Sequence, residues 1–180
     1  MLPAQMFDHR LNPIKGWPSP YALDKAKGVG QAAAEQGIKA GMVVHIDSVT
    51  GLFMRGLPGN QVPVFAWNDF LAFDAQGADD GNISLYGNNK GISGLVALGS
   101  YELQTTEYDT AYTYAVNDHL TAWDSHLGGY VAANKGKIRK GFPYHETICG
   151  VVTAGAAVNN FGKYWVSLWT YYLPVDLGGS

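Results

Sequence analysis

The feature that most constrains the fold is the carboxy-terminal run from Ile148 to Pro174. Two apolar segments flank an Asn-Asn-Phe-Gly turn at 159–162. Segments rich in Val, Thr, Trp and Tyr are typical of β-strands, and a short Gly-containing link between two of them predicts a hairpin. Both alternating faces of the second segment carry aromatic or aliphatic side chains. This strand is therefore either a core strand covered on both sides or a strand whose outer face another molecule buries.

Strand and turn signals repeat at short spacing after Gly37. The clearest is a hairpin with strands at 38–47 and 52–55. Its intervening turn ends in Gly, as hairpin turns often do. Further strands are predicted at 62–67, 68–75, 94–98, 101–105, 111–116 and 128–133, and the basic stretch 135–140 is interpreted as a solvated turn. This spacing predicts a mainly β domain over 37–180, an antiparallel barrel or sandwich with the carboxy-terminal hairpin central in its sheet.

Residues 1–36 have a different character. Four prolines in the first 21 residues exclude helix and disfavour a central strand, yet the apolar content is too high for a disordered tail. Glycines at 28 and 30 leave at most a short helix before residue 37. We therefore predict an extended proline-rich arm that packs on a neighbouring subunit or shell. Its predicted interface residues are Met6, Phe7, Leu11, Ile14, Trp17 and Tyr21.

Composition narrows the class of partner. Charged residues make up 15% of the chain, against roughly 25% in an average domain. The net charge of -3 argues against a nucleic-acid partner, which needs clustered Lys and Arg. The single cysteine, Cys149, lies in an apolar run and is expected to be a buried thiol, which fits synthesis in a reducing cytoplasm. No stretch resembles a signal peptide or a membrane span, so no membrane partner is expected.

Candidate catalytic groups are sparse, and neither a catalytic residue nor a metal or cofactor is predicted. The histidines lack the spacing of metal sites, and neither a G-x-S-x-G elbow nor a phosphate loop is present. The segments that contain the histidines and acidic residues are interpreted first as polar loops and solvated turns. Two alternatives stay open. A metal or a nucleophile can be held if loop residues converge, namely Asp118, His119, Asp124, His126, His145 and Glu146. A calcium ion can be held by Asp74, Asp79, Asp80 and Asn82.

Aromatic residues on the last strand offer a different kind of site. Trp165, Trp169 and Tyr171 share one face of the predicted strand. Such residues can stack on sugar rings, but on strands they more often belong to a core or a subunit interface. We therefore predict that these three residues are interface residues.

Three segments resemble the capsid decoration (cement) or minor structural proteins of tailed bacteriophages. They are the proline-rich arm, I-K-A-G-M-V-V-H-I-D at 38–47, and the closing strands I-C-G-V-V-T-A-G and W-V-S-L-W-T-Y-Y-L-P. The resemblance implies a β-rich protein made in the host cytoplasm that binds the outside of a capsid shell. There it would stabilise the shell by bridging subunits of the major capsid protein, usually as a trimer or dimer. It implies no residue-level site.

Three functions remain distinguishable. A virion structural protein, the interpretation we favour, predicts that the arm is disordered or displaced in the isolated protein and that Trp165 or Trp169 is covered on assembly. A carbohydrate-binding module predicts two coplanar, exposed aromatic side chains. A hydrolase predicts that Asp124, His126 and His145 meet in one pocket.

Overall fold

The computed structural model describes residues 11–15, 38–49, 53–66, 94–96, 102–124, 132–158 and 164–174. Numbered along the chain, the strands in these ranges are β1 (Leu11–Lys15), β2 (Val43–Ile46), β3 (Phe53–Arg55), β4 (Val64–Ala66), β5 (Gly94–Val96), β6 (Glu102–Thr105), β7 (His119–Ala122), β8 (Ile138–Lys140), β9 (Ile148–Val158) and β10 (Tyr164–Leu173). The only helical element in these ranges is a short 3-10 helix at Ala132–Asn134, so none of their helices is long enough to cross a membrane. The predicted mainly β class is confirmed.

The strands form two antiparallel sheets. The larger sheet has six strands in the order β1-β6-β10-β9-β7-β8, and the smaller has four in the order β3-β2-β4-β5. The predicted carboxy-terminal hairpin, β9 and β10, occupies the middle of the larger sheet. The first predicted hairpin is β2 paired with β3. Both predictions are confirmed, because strong local strand patterns separated by short turns specify the pairing.

A shared core makes the arrangement a sandwich and not a closed barrel. The core draws Val43 and Phe65 from the smaller sheet and Leu103, Leu120 and Leu168 from the larger one, all of them fully buried. Cys149 is also buried, as predicted. A second apolar cluster lies on the other side of the smaller sheet and contains Ile38, Val44, Phe53, Val64 and Ala66. Successive residues of β2 thus bury opposite faces, since side chains alternate along a strand.

Two glycines join the sheets at one point. The N–H of Val43 donates to the carbonyl of Gly136 at 2.8 Å, and the N–H of Gly56 donates to the carbonyl of Val43 at 2.9 Å. Both glycines have positive φ, +93° at Gly56 and +84° at Gly136. A Cβ at Gly56 would lie 2.6 Å from Asp124 Oδ2 and 2.8 Å from the carbonyl of Trp123. Only glycine therefore fits at position 56 without displacing the neighbouring backbone.

Two sequence predictions of strands need correction. Residues 111–116 are not a strand, because Asp109 organises them as a turn: its Oδ1 accepts from the N–H of Ala111 at 2.9 Å and its carbonyl from the hydroxyl of Tyr114 at 2.8 Å. Such local side-chain bonds compete with strand pairing. Within the predicted strand 128–133, residues 132 and 133 belong to the 3-10 helix. The predicted strand at 68–75 lies outside the described residues.

The basic stretch 135–140, predicted to be a solvated turn, is only partly a turn in the structure. Its second half is strand β8, in which Ile138 is fully buried and Arg139 is 5% exposed. The carbonyl of Ile138 accepts from the N–H of Asp109 at 2.7 Å, and its N–H donates to the carbonyl of Glu107. The segment 107–109 therefore occupies the far side of β8. A buried Arg in this strand is tolerated because a carboxylate partner neutralises it, as described below.

Strand β1 lies within the predicted arm. It pairs with β6 of the same chain, with Leu11 opposite Thr105 and Asn12 opposite Gln104. The expectation that the arm is displaced in an isolated chain is therefore wrong for residues 11–15. Their packing on a neighbouring molecule stays a prediction. Pro13 is tolerated because β1 is a terminal strand of the sheet, where a missing N–H interrupts no central ladder. The other residues of 1–36 lie outside the described ranges.

Candidate interaction surface

The larger sheet turns one face away from the core. Across β6, β10, β9 and β7, the residues Glu102, Trp169, Val151 and His119 are register partners and so share this outer face. Trp169 is 36% exposed, whereas Leu168 beside it is fully buried. The central strand β10 therefore covers the core with one face and presents an aromatic side chain with the other.

A hydrogen bond fixes a second aromatic side chain on the outer face. The hydroxyl of Tyr171 lies 2.6 Å from Nδ1 of His119, and the two rings meet edge to face with centroids 6.1 Å apart. Burial raises the pKa of Tyr171, and the nearby Cys149 thiol adds to the effect. Burial also raises the pKa of Cys149 to about 12. The Tyr171 ring is thus held in one position, because a lost hydrogen bond between half-buried groups would leave both unsatisfied.

Polar groups beside Trp169 are bonded to one another. Thr153 donates its hydroxyl to Oε1 of Glu102 at 2.6 Å, and Gln104 donates from Nε2 to the hydroxyl of Ser167 at 3.1 Å. Glu102 and Ser167 are 8% and 5% exposed. The outer face therefore combines fixed polar pairs with a partly exposed indole.

The turn between β8 and β9 presents two further aromatic side chains. In this turn, residues 141–147, Phe142 is 66% exposed and Tyr144 is 72% exposed. These are the most exposed aromatic side chains among the described residues. Exposed aromatics cost solvation free energy in an isolated molecule and are enriched in binding surfaces.

An ion pair closes the base of this turn, which we call the braced turn. Arg139 and Glu146 meet through both guanidinium NH2 groups and both carboxylate oxygens, and their side chains are 6% and 15% exposed. Glu146 Oε2 also accepts from the N–H of Phe142 at 3.0 Å, and the carbonyl of Phe142 accepts from the N–H groups of His145 and Glu146 at 3.1 Å. A bidentate pair fixes orientation as well as distance. The backbone that carries the two aromatics is therefore rigid.

The ion pair itself stands on a packed support. The Arg139 guanidinium lies 4.7 Å from the centre of the Trp123 ring, a cation–π contact. The indole N–H of Trp123 donates to Oδ2 of Asp109 at 2.7 Å, and Asn134 donates to the same oxygen at 3.3 Å. Tyr112 packs at 6.4 Å against the same indole. Trp123 is thus a structural support: its indole N–H is bonded to Asp109, and its ring is in contact with Arg139 and Tyr112.

The far end of the braced turn is tied to other loops. Thr147 donates its hydroxyl to the carbonyl of Gly59, and its own carbonyl accepts from the hydroxyl of Thr121 at 2.7 Å. At the near end, the N–H of Gly141 donates to the carbonyl of His119 at 2.9 Å. His119 is therefore a link between the braced turn and the outer face.

Backbone strain is stored in the braced turn. Tyr144 has φ of +74°, a left-handed conformation that bulky L-residues avoid. Such a residue costs of order 1–3 kcal/mol and persists where the surroundings impose it. Here the surroundings are the bonds around Glu146 and Phe142. The strain is consistent with a turn kept for presenting its side chains.

The structure gives positions for some of the predicted interface residues, and their role as an interface stays a prediction. Trp169 is at the border of exposure and Tyr171 is half-buried, and both lie on the outer face. Leu11 and Ile14 lie in β1, and Trp165 lies in β10 opposite Ala157. Met6, Phe7, Trp17 and Tyr21 lie outside the described residues.

Sequence reasoning missed Phe142 and Tyr144. A signal was present, since both residues flank a proline in a polar turn that Arg139 and Glu146 bracket. Aromatics in a turn have no neighbouring strand pattern to place them in a core. Their spacing alone does not reveal that the ion pair holds them outward.

Several of the candidate catalytic side chains form ion pairs or hydrogen bonds with side chains outside the candidate set. Asp118 binds Lys140 at 2.7 Å, and this contact lowers the pKa of the Asp118 carboxyl. Asp124 is 3% exposed beside Gly56, whereas His145 is exposed on the braced turn. His126 and the candidate calcium loop, Asp74, Asp79, Asp80 and Asn82, lie outside the described residues. Within the described ranges, no three His, Cys, Asp or Glu side chains come together in a way that holds a metal.

Comparison with known proteins adds no relative. No protein-family model, curated protein or solved structure matches the chain. The outer face, the braced turn and the resemblance of the three sequence segments are therefore the features that bear on function.

Proposed function

We propose that the protein is a virion structural protein that binds the outside of a capsid shell and stabilises it by bridging subunits. One observation carries the proposal: Phe142 and Tyr144 are 66% and 72% exposed on a turn that a largely buried ion pair makes rigid. The resemblance to decoration proteins supplies the identity of the partner, the major capsid protein. The braced turn supplies the contact.

The energetics favour such a contact. A few buried aromatic anchors carry most of the free energy of a protein interface, with truncations that cost about 2 kcal/mol or more. Anchors on a rigid turn lose less conformational entropy when they bind. Phe142 and Tyr144 meet both conditions, because their backbone is fixed before a partner arrives.

The outer face supports the same proposal in a second way. Trp169 is partly exposed on a central strand, where an isolated domain would place a polar residue. With charged residues at only 15% of the chain, little electrostatic repulsion opposes close contact with another protein. Both features are typical of proteins whose stability is shared between subunits.

Co-sedimentation with shells tests the proposal. The genome is searched for a major capsid gene beside this protein's gene, and shells are assembled from its product. The full-length chain is then added with and without Phe142→Ala. We expect the substitution to weaken binding and to remove the heat resistance that the protein confers on the shell. His145→Ala is the matched control, because His145 is exposed on the same turn and is not an aromatic anchor. Equal binding by Phe142→Ala and wild-type protein contradicts the proposal, as does a gene with no capsid gene beside it.

A carbohydrate-binding module is the second candidate, and one observation favours it. Trp169 is partly exposed on the outer face, and Tyr171 follows on the same strand with its hydroxyl bound to His119. Aromatic rings beside fixed polar groups can bind sugar rings. Quenching of tryptophan fluorescence by host surface glycans, lost in Trp169→Ala and kept in Phe142→Ala, would favour this candidate over shell binding.

A further inference from the structure

We propose that strand β1 is exchanged between copies of the protein, so that Leu11–Lys15 of one chain fills the β6 edge of a second copy. The inference rests on the proposed function, because a protein that bridges subunits gains from links between its own copies. The partner is a second copy of this chain, and the contact is a continuous antiparallel sheet.

The β6 edge requires an occupant. β1 is the terminal strand of the larger sheet and pairs with β6 in a defined register, with Asn12 opposite Gln104 and Lys15 opposite Glu102. Without β1, the backbone N–H and C=O groups on that side of β6 would form an open edge, which other chains can pair with. An identical strand from a second copy satisfies the same groups.

The backbone pairing of β1 with its own chain is short and irregular. The strand has five residues, Pro13 provides no N–H, and the register shifts between Pro13 and Lys15. Each remaining backbone hydrogen bond contributes on the order of 1 kcal/mol net. Release of β1 from its own sheet therefore breaks only a short run of backbone hydrogen bonds, and exchange restores the same bonds in the neighbour.

The connection after β1 is long enough for exchange. Residues 16–37 link Lys15 to Ile38 and span about 70 Å when fully extended. A compact chain of 180 residues has a radius of gyration of about 16 Å. The strand can therefore reach the β6 edge of an adjacent copy, whereas a connection of a few residues would restrict it to its own sheet. High local concentration on a shell favours the exchanged form by mass action.

Cysteine cross-linking between β1 of one chain and β6 of another detects the exchange directly. The buried Cys149 is replaced by Ala, and Asn12→Cys and Gln104→Cys are made in separate full-length chains. Opposed residues of antiparallel strands have Cα atoms about 4.5–5.5 Å apart, within the range of about 4.4–6.8 Å that a disulfide spans. The two chains are mixed, unfolded, refolded together and oxidised mildly. Val49→Cys replaces Gln104→Cys in the control mixture, since Val49 is 90% exposed and lies outside this register.

The expected product is a covalent dimer on a non-reducing gel, formed from the Asn12→Cys and Gln104→Cys chains and absent from the control mixture. In a chain that carries both substitutions, exchange produces covalent oligomers. If that chain instead closes on itself as a monomer and the mixture gives no dimer, the inference is overturned. Failure of both reactions to form any disulfide also overturns it, because the β6 edge is then not occupied in this register.

A deletion provides a second readout that does not depend on cysteines. The full-length chain is expected to sediment as an oligomer, and a chain that lacks residues 1–15 is expected to sediment as a monomer. Equal sedimentation of the two chains contradicts exchange. Shell binding through Phe142 is measured separately. A full-length chain that sediments as a monomer but binds shells through Phe142 overturns only the exchange. A full-length chain that forms β1-dependent oligomers but binds shells equally well with Phe142→Ala overturns only the proposed function.

Discussion

Arg139 and Glu146 lie at the two ends of the turn that carries Phe142 and Tyr144, and a bidentate ion pair between them holds the turn closed. Both side chains are largely shielded from water, at 6% and 15% exposed. The pair has two consequences. The carboxylate of Glu146 neutralises Arg139, so that an arginine can be buried in strand β8. Glu146 also accepts a third hydrogen bond, from the backbone N–H of Phe142, and so orients that N–H.

Removal of one partner of this ion pair should destabilise the fold. Glu146→Ala leaves the Arg139 guanidinium buried without its carboxylate, and breaking a buried pair costs about 3 kcal/mol or more. Urea unfolding of the full-length protein measures the loss. Lys140→Ala is the control, because its pair with Asp118 is 35% and 27% exposed and such pairs contribute at most about 1 kcal/mol. Equal losses in the two variants would show that the Arg139–Glu146 pair is not a structural support.

The glycine at the junction of the two sheets should be irreplaceable. Gly56→Ala combines a left-handed φ of +93° with a Cβ placed 2.6 Å from Asp124 Oδ2, so we expect a loss of more than about 2 kcal/mol in unfolding free energy. Gly59→Ala separates the two causes, since Gly59 has φ of +51° and no described atom lies within 4 Å of the point that its Cβ would occupy. That variant should lose about 1 kcal/mol from strain alone. Equal midpoints of thermal unfolding for the two variants would contradict this packing.

Stability should fall in alkali because of the buried thiol. Burial raises the pKa of Cys149 from 9.0 to about 12, so above pH 9 the unfolded chain releases this proton while the folded chain retains it. The unfolding free energy then decreases by about 1.4 kcal/mol per pH unit from this group, with all of its stabilisation present below pH 9. Tyr171 and Tyr114, whose pKa values burial also raises, add to the decrease above pH 10.

Cys149→Ala isolates the contribution of the thiol. Urea unfolding from about pH 8 to about pH 9.5 covers the interval in which the tyrosines of the unfolded chain, with an ordinary pKa of about 10, are still mostly protonated. The slope of stability against pH in this interval should be flatter in the variant than in the wild-type protein. An unchanged slope would show that another group causes the alkaline loss.

Local patterns explain how much of the fold could be predicted. The β9–β10 hairpin and the β2–β3 hairpin follow from apolar strand segments with short turns between them, and both are present. The region 111–116 has aromatic residues in alternation, yet the bonds to Asp109 convert it to a turn. Strand β8 was not predicted from the sequence, because a basic segment is expected to lie in solvent. Its burial depends on partners elsewhere in the chain, such as Glu146 and Trp123.

The candidate site was predictable only in part for the same reason. The outer-face positions of Trp169 and Tyr171 follow from strand alternation, which is a local property. The exposure of Phe142 and Tyr144 follows from an ion pair, a strained backbone and loop contacts that join distant parts of the chain. The residues of the braced turn can be read from the sequence, but the contacts that hold Phe142 and Tyr144 outward cannot.

The double variant Phe142→Ala and Tyr144→Gly tests the central claim most directly, because it separates binding from folding. Glycine relieves the strain at φ of +74°, so the unfolding free energy of the variant should equal or exceed that of the wild-type protein. Loss of the two aromatic anchors should weaken shell binding about thirtyfold or more, measured by co-sedimentation over a range of protein concentrations. Normal stability with weakened binding is the result predicted here. A variant that folds normally and binds shells as tightly as the wild-type protein would contradict the account.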